Sequence, residues 1–319
     1  MTVGGPQAVA VGVDVGGTKV NAVRVAPDGS VRARETRPTP SDDMAATLAA
    51  MREAAEAVRT PEVIAVGIGA AGLVETRTGT VRFAPNIAWR DAPLVEFMAA
   101  LGLPVRVDND CTAAAYGEWR LGAARGHDDV LYVGVGTGIG GGLILEGRPY
   151  RGANGFAAEI GHIVVEPGGP PCGCGNRGCW ETVASGSTIT RDGRRAVTRH
   201  GHSLLSEIAG GDPDRVDGAL VAEAAREGDP AARGILAEVG HRLGEGIAGL
   251  VNVLDPELVV VGGGAADAGD LLLEPARAGY RAAVEGRDRR PGVRIVPATL
   301  GADGAAIGAA IMALDEISS

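Results

Sequence analysis

The sequence predicts an α/β protein built as two lobes. Short apolar runs rich in Val and Ile alternate along the chain with helical patterns. At 319 residues the chain is longer than one hydrophobic core usually serves. A strand–glycine turn–strand pattern also occurs twice, in Val11-Gly-Val-Asp-Val-Gly-Gly-Thr-Lys-Val20 and Tyr132-Val-Gly-Val-Gly-Thr-Gly-Ile-Gly-Gly141. Two similar lobes, each starting with a hairpin, account for this echo; a chance match in a chain rich in Gly and Val is the alternative.

Ala8 to Val15 reads as a buried strand stopped by Gly16-Gly17, with further strands at Val20 to Val25 and Ser30 to Thr36. Ser41-Asp42 is expected to cap a helix to about Arg59, with Met44, Leu48, Met51 and Val58 roughly on one face. A buried strand at Val63 to Gly69, a helix at Leu94 to Leu101, a short strand at Val105 to Val107 and a helix at Cys111 to Leu121 follow. Val130 to Val135 and Leu143 to Leu145 read as strands across a glycine turn. From Ser187 to Leu254 the pattern is mostly helical, interrupted at Gly210-Gly211-Asp212-Pro213 and Gly228-Asp229-Pro230. The chain finishes with a strand at Leu258 to Val261, a helix, a strand at Val293 to Val296 and a helix near Ala302 to Leu314.

Composition narrows the classes. Hydrophobic residues at 45% and charged residues at 22% are ordinary for a globular protein. Aromatics are only 3% and glycines number 51, clustered between apolar runs, which suggests tight turns close to a ligand. A net charge of −10 argues against nonspecific nucleic-acid binding. No run of about 18 apolar residues predicts a membrane span. No secretory leader is evident, so a cytoplasmic location is expected, and with seven residues before the first strand no DNA-binding domain is expected there.

Glu159 to Glu181 is the most specific stretch. Cys172, Cys174 and Cys179 fall within eight residues, and His162 lies ten before the first. Three thiolates and an imidazole form the donor set of a closed tetrahedral zinc site. Gly173, Gly175 and Gly178 let so short a loop wrap one ion. Four protein ligands leave no open position, so such a zinc is structural, or acts by orienting His162 toward a ligand. A disulfide is the other reading, disfavoured by the short Cys172–Cys174 spacing. Glu159 and Glu181 flank the loop and are fixed with it. Cys111 reads as a small buried side chain. His127, His200, His202 and His241 read as surface or helix residues.

Three glycine turns follow strands: Asp14-Val-Gly-Gly-Thr-Lys19, Gly136-Thr-Gly-Ile-Gly-Gly141 and Gly262-Gly-Gly264. Backbone N–H groups in such turns make nests suited to phosphate. Gly67 to Gly72 and Gly136 to Gly141 match the dinucleotide spacing, but each leads into a strand rather than the helix that fingerprint needs. Gly17-Thr18-Lys19 fails as a P-loop for the same reason. At Asp108-Asn109-Asp110 a strand ends and a helix opens; a carboxylate there suits proton acceptance from a hydroxyl in phosphoryl transfer, or plain helix capping. Asn86 is either a loop residue bonding its own backbone or, with Asn109, Asp110, Glu159, His162 and Glu181, part of an inventory able to hold a polyhydroxylated ligand.

Together these motifs resemble the ROK family of sugar kinases and repressors: Asp14 to Lys19, Asn109-Asp110, Gly136 to Gly140, Glu159-Ile-Gly-His162, Cys172-x-Cys-Gly-x-x-Gly-Cys179-x-Glu181 and Gly262 to Gly264. Ala84 to Trp89 and Gly155 to His162 make the likeness closest among ATP-dependent glucokinases of the actinobacterial type. The resemblance implies an actin-like ATPase fold of two ribonuclease-H-like lobes, with the zinc loop in the second, and ATP and sugar in the cleft. It implies a smaller lobe of residues 1–122 on which the C-terminal helix 303–319 packs back, and a larger lobe of residues 123–302. It implies that Asp110 is the general base toward the sugar 6-hydroxyl, and that Asn86, Asn109, Glu159, His162 and Glu181 hold the sugar. By the same resemblance Asp14 positions Mg²⁺ through water. Gly16, Gly17, Thr18, Lys19, Thr137 and Gly138 take phosphates, and Gly263 and Gly264 lie by the nucleoside. The implied partners are a small sugar and ATP, with no nucleic acid and no membrane, in a homodimer or homotetramer. Another hexose, polyphosphate as donor, and a sugar-responsive regulator remain as alternatives. Asp108 stands where related sequences often carry Glu or His, and Arg191, Arg194, Arg195 and Arg199 map to no family role.

Overall fold

The computed structural model describes residues 8–199 and 203–318. Its first sheet is mixed. Strand β1 (Val9–Val15) turns into antiparallel β2 (Lys19–Val25), which pairs with β3 (Val31–Pro38). After helix α1 (Met44–Val58), β4 (Val63–Ala70) returns parallel to β1. A small sheet of β5 (Leu73–Glu75), β6 (Thr80–Phe83) and β7 (Arg90–Pro93) intervenes, followed by α2 (Leu94–Met98) and a 3₁₀ turn at Ala99–Leu101. Strand β8 (Val105–Asn109) then joins β4 in parallel and leads into α3 (Asp110–Leu121). The order is β3-β2-β1-β4-β8.

A second five-stranded sheet repeats this order of connection. It comprises β9 (Val130–Val135), β10 (Ile139–Leu145) and β11 (Arg148–Pro149), then β12 (Leu258–Gly262) and β13 (Arg294–Pro297), in the order β11-β10-β9-β12-β13. Between β11 and β12 run α4 (Glu181–Ala184), α5 (Gly186–Arg199), α6 (Leu204–Ile208), α7 (Gly218–Arg226) and α8 (Pro230–Leu254). Helix α9 (Asp270–Ala283) precedes β13, and α10 (Gly304–Ser318) closes the chain. Both glycine turns of the echoed motif thus join the first two strands of their sheets.

The chain forms two compact units. One gathers the residues up to Tyr132, Gly141–Ala158 and those from Ala298 on; the other gathers Val133–Gly140 and Glu159–Pro297. In the first unit, alternation along β1 sends Val9, Val11, Val13 and Val15 into a core with Leu48, Met51, Ala54 and Val58 of α1. The opposite face, Ala10 with Val23, Val25 and Ala65, packs on Ile307, Ala310, Ile311 and Leu314 of α10. That helix lies almost flush with the sheet because Gly12 and Gly67 present no side chain: a Cβ on Gly67 would stand 1.8 Å from the Ala309 carbonyl oxygen. In the second unit α8 buries Leu236, Val239, Leu243, Ile247 and Val251.

Several element boundaries differ from expectation. The cap of α1 is Asp43, not Ser41-Asp42; its carboxylate accepts the Ala46 N–H at 3.0 Å. Helix α3 starts at Asp110 and is capped by Asn109. Strand β10 begins at Ile139, four residues early, although Gly140, Gly141 and Gly142 have little intrinsic strand preference. Glycine is required at 142, where a Cβ would lie 2.5 Å from the Cys111 carbonyl oxygen. Strands β6 and β7 were not expected. Among the described residues no helix is long and apolar enough to cross a membrane.

Candidate active site and metal centre

In the first unit the hairpin between β1 and β2 is closed by the Gly16 N–H on the Lys19 carbonyl oxygen at 3.1 Å. Thr39 braces it, donating its hydroxyl to the Gly16 carbonyl oxygen at 2.8 Å and its N–H to that of Thr18 at 3.1 Å. Thr18 and Lys19 are exposed on its tip. Gly17 faces the exposed Asn86, and a Cβ there would lie 3.1 Å from that of Asn86. The turn therefore brings Asn86 beside the phosphate candidates.

Asp14 stands at the end of β1 on the face covered by α10. Its carboxyl is pushed up from 3.8 to about 7 by burial, then by the charge of Asp110; Lys19 opposes this and Asp303 adds to it. Asp110 is also raised by burial, against the Cys111 N–H, which its Oδ1 accepts at 2.8 Å. The capping reading of Asp110 is corrected here. Asn109 Oδ1 accepts the N–H groups of Cys111 at 2.9 Å and Thr112 at 3.1 Å, and its Nδ2 donates to the Gly72 carbonyl oxygen at 3.3 Å. Asn109 is thus the cap of the helix, and the Asp110 carboxylate adds only the bond from the Cys111 N–H. Cys111 is half-buried, where full burial was expected.

In the second unit the ligand atoms of His162, Cys172, Cys174 and Cys179 all lie within 4.8 Å of one another. The loop reaches this geometry through left-handed glycines; Gly178 has φ 72°, and a Cβ on it would stand 1.7 Å from the Glu166 carbonyl oxygen. Trp180, 1% exposed, anchors the loop by donating its indole N–H to the Arg242 carbonyl oxygen at 3.0 Å. No disulfide joins the described cysteines. The donor set and its closeness fit a tetrahedral zinc ion. Burial pushes the Cys172 thiol up, and a divalent cation is the charge that would hold three thiolates side by side.

The two acids flanking the cluster converge on its histidine. His162 Nδ1 faces Cys172 Sγ at 3.6 Å and Glu181 Oε1 at 3.6 Å; Nε2 faces Glu159 Oε2 at 3.9 Å. Glu181 Oε2 also accepts the Ile139 N–H at 3.4 Å and crowds Gly138, where a Cβ would be 2.2 Å away. Glu159, His162, Glu181 and the Gly136–Gly138 turn are therefore one constellation.

Beside it is a cavity of about 820 Å³, lined among others by Thr137, Arg191, Arg194, Arg226, Leu236 and Gly264. Helix α5 is tied to the turn, since the Gly186 N–H reaches the Gly136 carbonyl oxygen at 2.8 Å and Ser187 Oγ the Thr137 carbonyl oxygen at 2.7 Å. Gly263, with φ 84°, passes so near β9 that a Cβ would be 2.5 Å from the Val135 carbonyl oxygen. Arg191, Arg194 and Arg195, without assigned role in the sequence, are cavity lining. Arg194 is held by the carbonyl oxygens of Val216 at 3.2 Å and Asp214 at 3.4 Å. Their helical spacing was the available signal; that they face a cavity depends on α7 and the Gly262–Gly264 turn. His127 and His241 are half-buried, and His200 and His202 lie outside the described residues.

The sequence model of the ROK family matches residues 10–316. The chain is 42% identical over 307 residues to the glucokinase of Streptomyces coelicolor, covering 95% of this chain and 96% of that one. It is 35% identical over 224 residues to the xylose repressor of Caldicellulosiruptor bescii, covering 70% of this chain and 56% of the repressor. Among solved structures, the ROK family glucokinase from Streptomyces griseus in complex with glucose and AMPPNP is similar with a TM-score of 0.90 and 41% identity, over 97% of this chain and 100% of that one.

Proposed function

The chain belongs to the ROK family, with its actin-like ATPase fold of two ribonuclease-H-like lobes, and on that premise we propose that it is a glucokinase transferring the γ-phosphoryl group of ATP to the 6-hydroxyl of glucose. The observation that carries this reading is the full-length likeness to glucokinases, one of them solved with glucose and AMPPNP. Likeness to the xylose repressor spans 56% of that protein, so a sugar-responsive regulator is the second reading.

In the proposed mechanism Asp110 accepts the proton of the 6-hydroxyl as its oxygen attacks the γ-phosphorus in line and ADP departs. Burial of Asp110 moves its basicity toward the range such a base needs. Asn86, Asn109, Glu159, His162 and Glu181 hold the sugar hydroxyls. Gly16, Gly17, Thr18 and Lys19, with Thr137 and Gly138, take the phosphates. Gly263 and Gly264 border the nucleoside, and the arginine-lined cavity beside them supports that assignment. Asp14, whose proton affinity is raised by burial and then by Asp110, suits an Mg²⁺ ion held through water, which would neutralise charge on the β- and γ-phosphates. A structural zinc on His162, Cys172, Cys174 and Cys179 would fix the tautomer of His162 and leave Nε2 for the sugar side. A cytoplasmic homo-oligomer, dimer or tetramer, completes the proposal; the exposed run Ile163, Val164 and Val165, 44–47% accessible, supports an association surface.

The test is ADP release from Mg-ATP against single sugars: glucose, mannose, fructose, N-acetylmannosamine and allose. Glucose is expected to give the highest kcat/KM. Preference for another hexose corrects the acceptor, and silence with every sugar overturns the kinase reading.

A further inference from the structure

The turn that carries Asp110 is wired to a second segment of the same unit. Asp108, 2% exposed at the end of β8, has both carboxylate oxygens engaged. Oδ1 accepts the Asn109 N–H at 3.0 Å. Oδ2 accepts Arg151 Nε at 2.7 Å, with Arg106 Nη2 farther off at 3.9 Å. Arg151 lies two residues past the end of β11, and its own carbonyl oxygen accepts the Ala157 N–H at 3.2 Å. One residue thus grips the acid turn with its side chain and closes its loop with its main chain.

The rest of that loop is constrained too. Gly155 has φ 92° and stands so near β5 that a Cβ would lie 2.4 Å from the Val74 carbonyl oxygen. Ala158 adopts φ 70°, uncommon for a residue with a Cβ, immediately before Glu159 in the chain. For stability alone a buried ion pair is rarely better than a well-packed apolar pair, whereas its hydrogen bonds fix direction. The gain from Asp108 and Arg151 is therefore geometric.

We infer that Arg151 and Asp108 are positioning residues for the phosphoryl acceptor, holding the Asn109–Asp110 turn and the loop that runs into Glu159 in fixed register. This rests on the kinase reading above. In the full-length chain, Arg151→Gln is expected to lower kcat/KM for glucose about tenfold to hundredfold, the scale of a small misplacement of reacting groups, while KM for ATP stays within about twofold. Arg151→Lys, which keeps the charge but not the planar fork, recovers part of the loss. Asp108→Asn, which retains an acceptor for the Asn109 N–H, moves the glucose constants in the same direction. Amide exchange at residues 108–112 and 151–158 quickens in Arg151→Gln. Unchanged glucose constants in the variants overturn the inference, as does a comparable rise in KM for ATP that lysine does not recover. A wild-type chain inactive on every sugar overturns the kinase reading instead; exchange then decides on the pair, and unchanged exchange in all three variants overturns it.

Discussion

Asp110 and Asp14 are two half-buried carboxylates whose roles diverge through their neighbours. Because Asn109 supplies the helix cap, Asp110→Asn leaves α3 intact. It is expected to keep glucose binding measurable by calorimetry while turnover falls by at least about 10²-fold, the typical contribution of a general base; near-normal turnover removes Asp110 from that role. Asp14 makes a prediction about pH. Its folded-state pKa, about 7, lies above the unfolded 3.8, so the folded protein holds this proton more tightly than the unfolded chain does. Its contribution to stability is therefore complete below about pH 4 and is lost as pH rises through about 7. Asp14→Asn cannot ionise, so in Mg²⁺-free buffer its stability relative to wild type rises between pH 5 and pH 8, by on the order of 2–4 kcal/mol. Denaturant titrations at the two pH values check this, and a parallel pair of curves contradicts it.

At the scale of elements, two contacts are most exposed to substitution. Helix α10 sits on β4 at Gly67, so Gly67→Ala forces the Ala309 carbonyl away; a loss of about 1–3 kcal/mol is expected, read from the urea midpoint. The cysteine loop is anchored by Trp180 and carries its four donors close together. Cys174→Ala is expected to lose about one zinc per chain by elemental analysis. It should also raise KM for glucose, because His162 and its acids lose their frame; an unchanged KM in zinc-free protein leaves the metal a remote structural part. The elements hardest to read in the sequence share a physical cause. Strand β7 contains Pro93 and an Asp91 at φ 52°, and β6, though Thr80-Val81-Arg82-Phe83 alternates, is only four residues long and too short to stand out. The glycines opening β10 lower its propensity, and one of them, Gly142, is needed for close approach to α3.

For the molecule as a whole, anything that binds only the folded state raises stability by mass action. Glucose at about 100 times its Kd is expected to add about 2.7 kcal/mol, seen as a higher midpoint, whereas a sugar outside the site adds nothing. Much of the fold was legible because local pattern and global arrangement agree: the buried runs of β1, β4, β9 and β12 are apolar throughout or alternate cleanly. The cysteine–histidine cluster was legible because its spacing admits few other geometries. The pairing of Asp108 with Arg151, the buried Glu118 accepting the N–H groups of Thr299 and Leu300, and the arginine wall of the cavity were not. Each joins residues far apart in sequence, and no short-range period announces such a partner.

The placement of α10 sets a timetable for synthesis. The face of the first sheet formed by Ala10, Val23, Val25 and Ala65 is covered by a helix that is made only after the whole of Glu159–Pro297. At about 5–20 residues per second, the ribosome leaves that apolar face bare for about 10–50 s. Through that interval the nascent chain carries a sheet with one apolar face still uncovered.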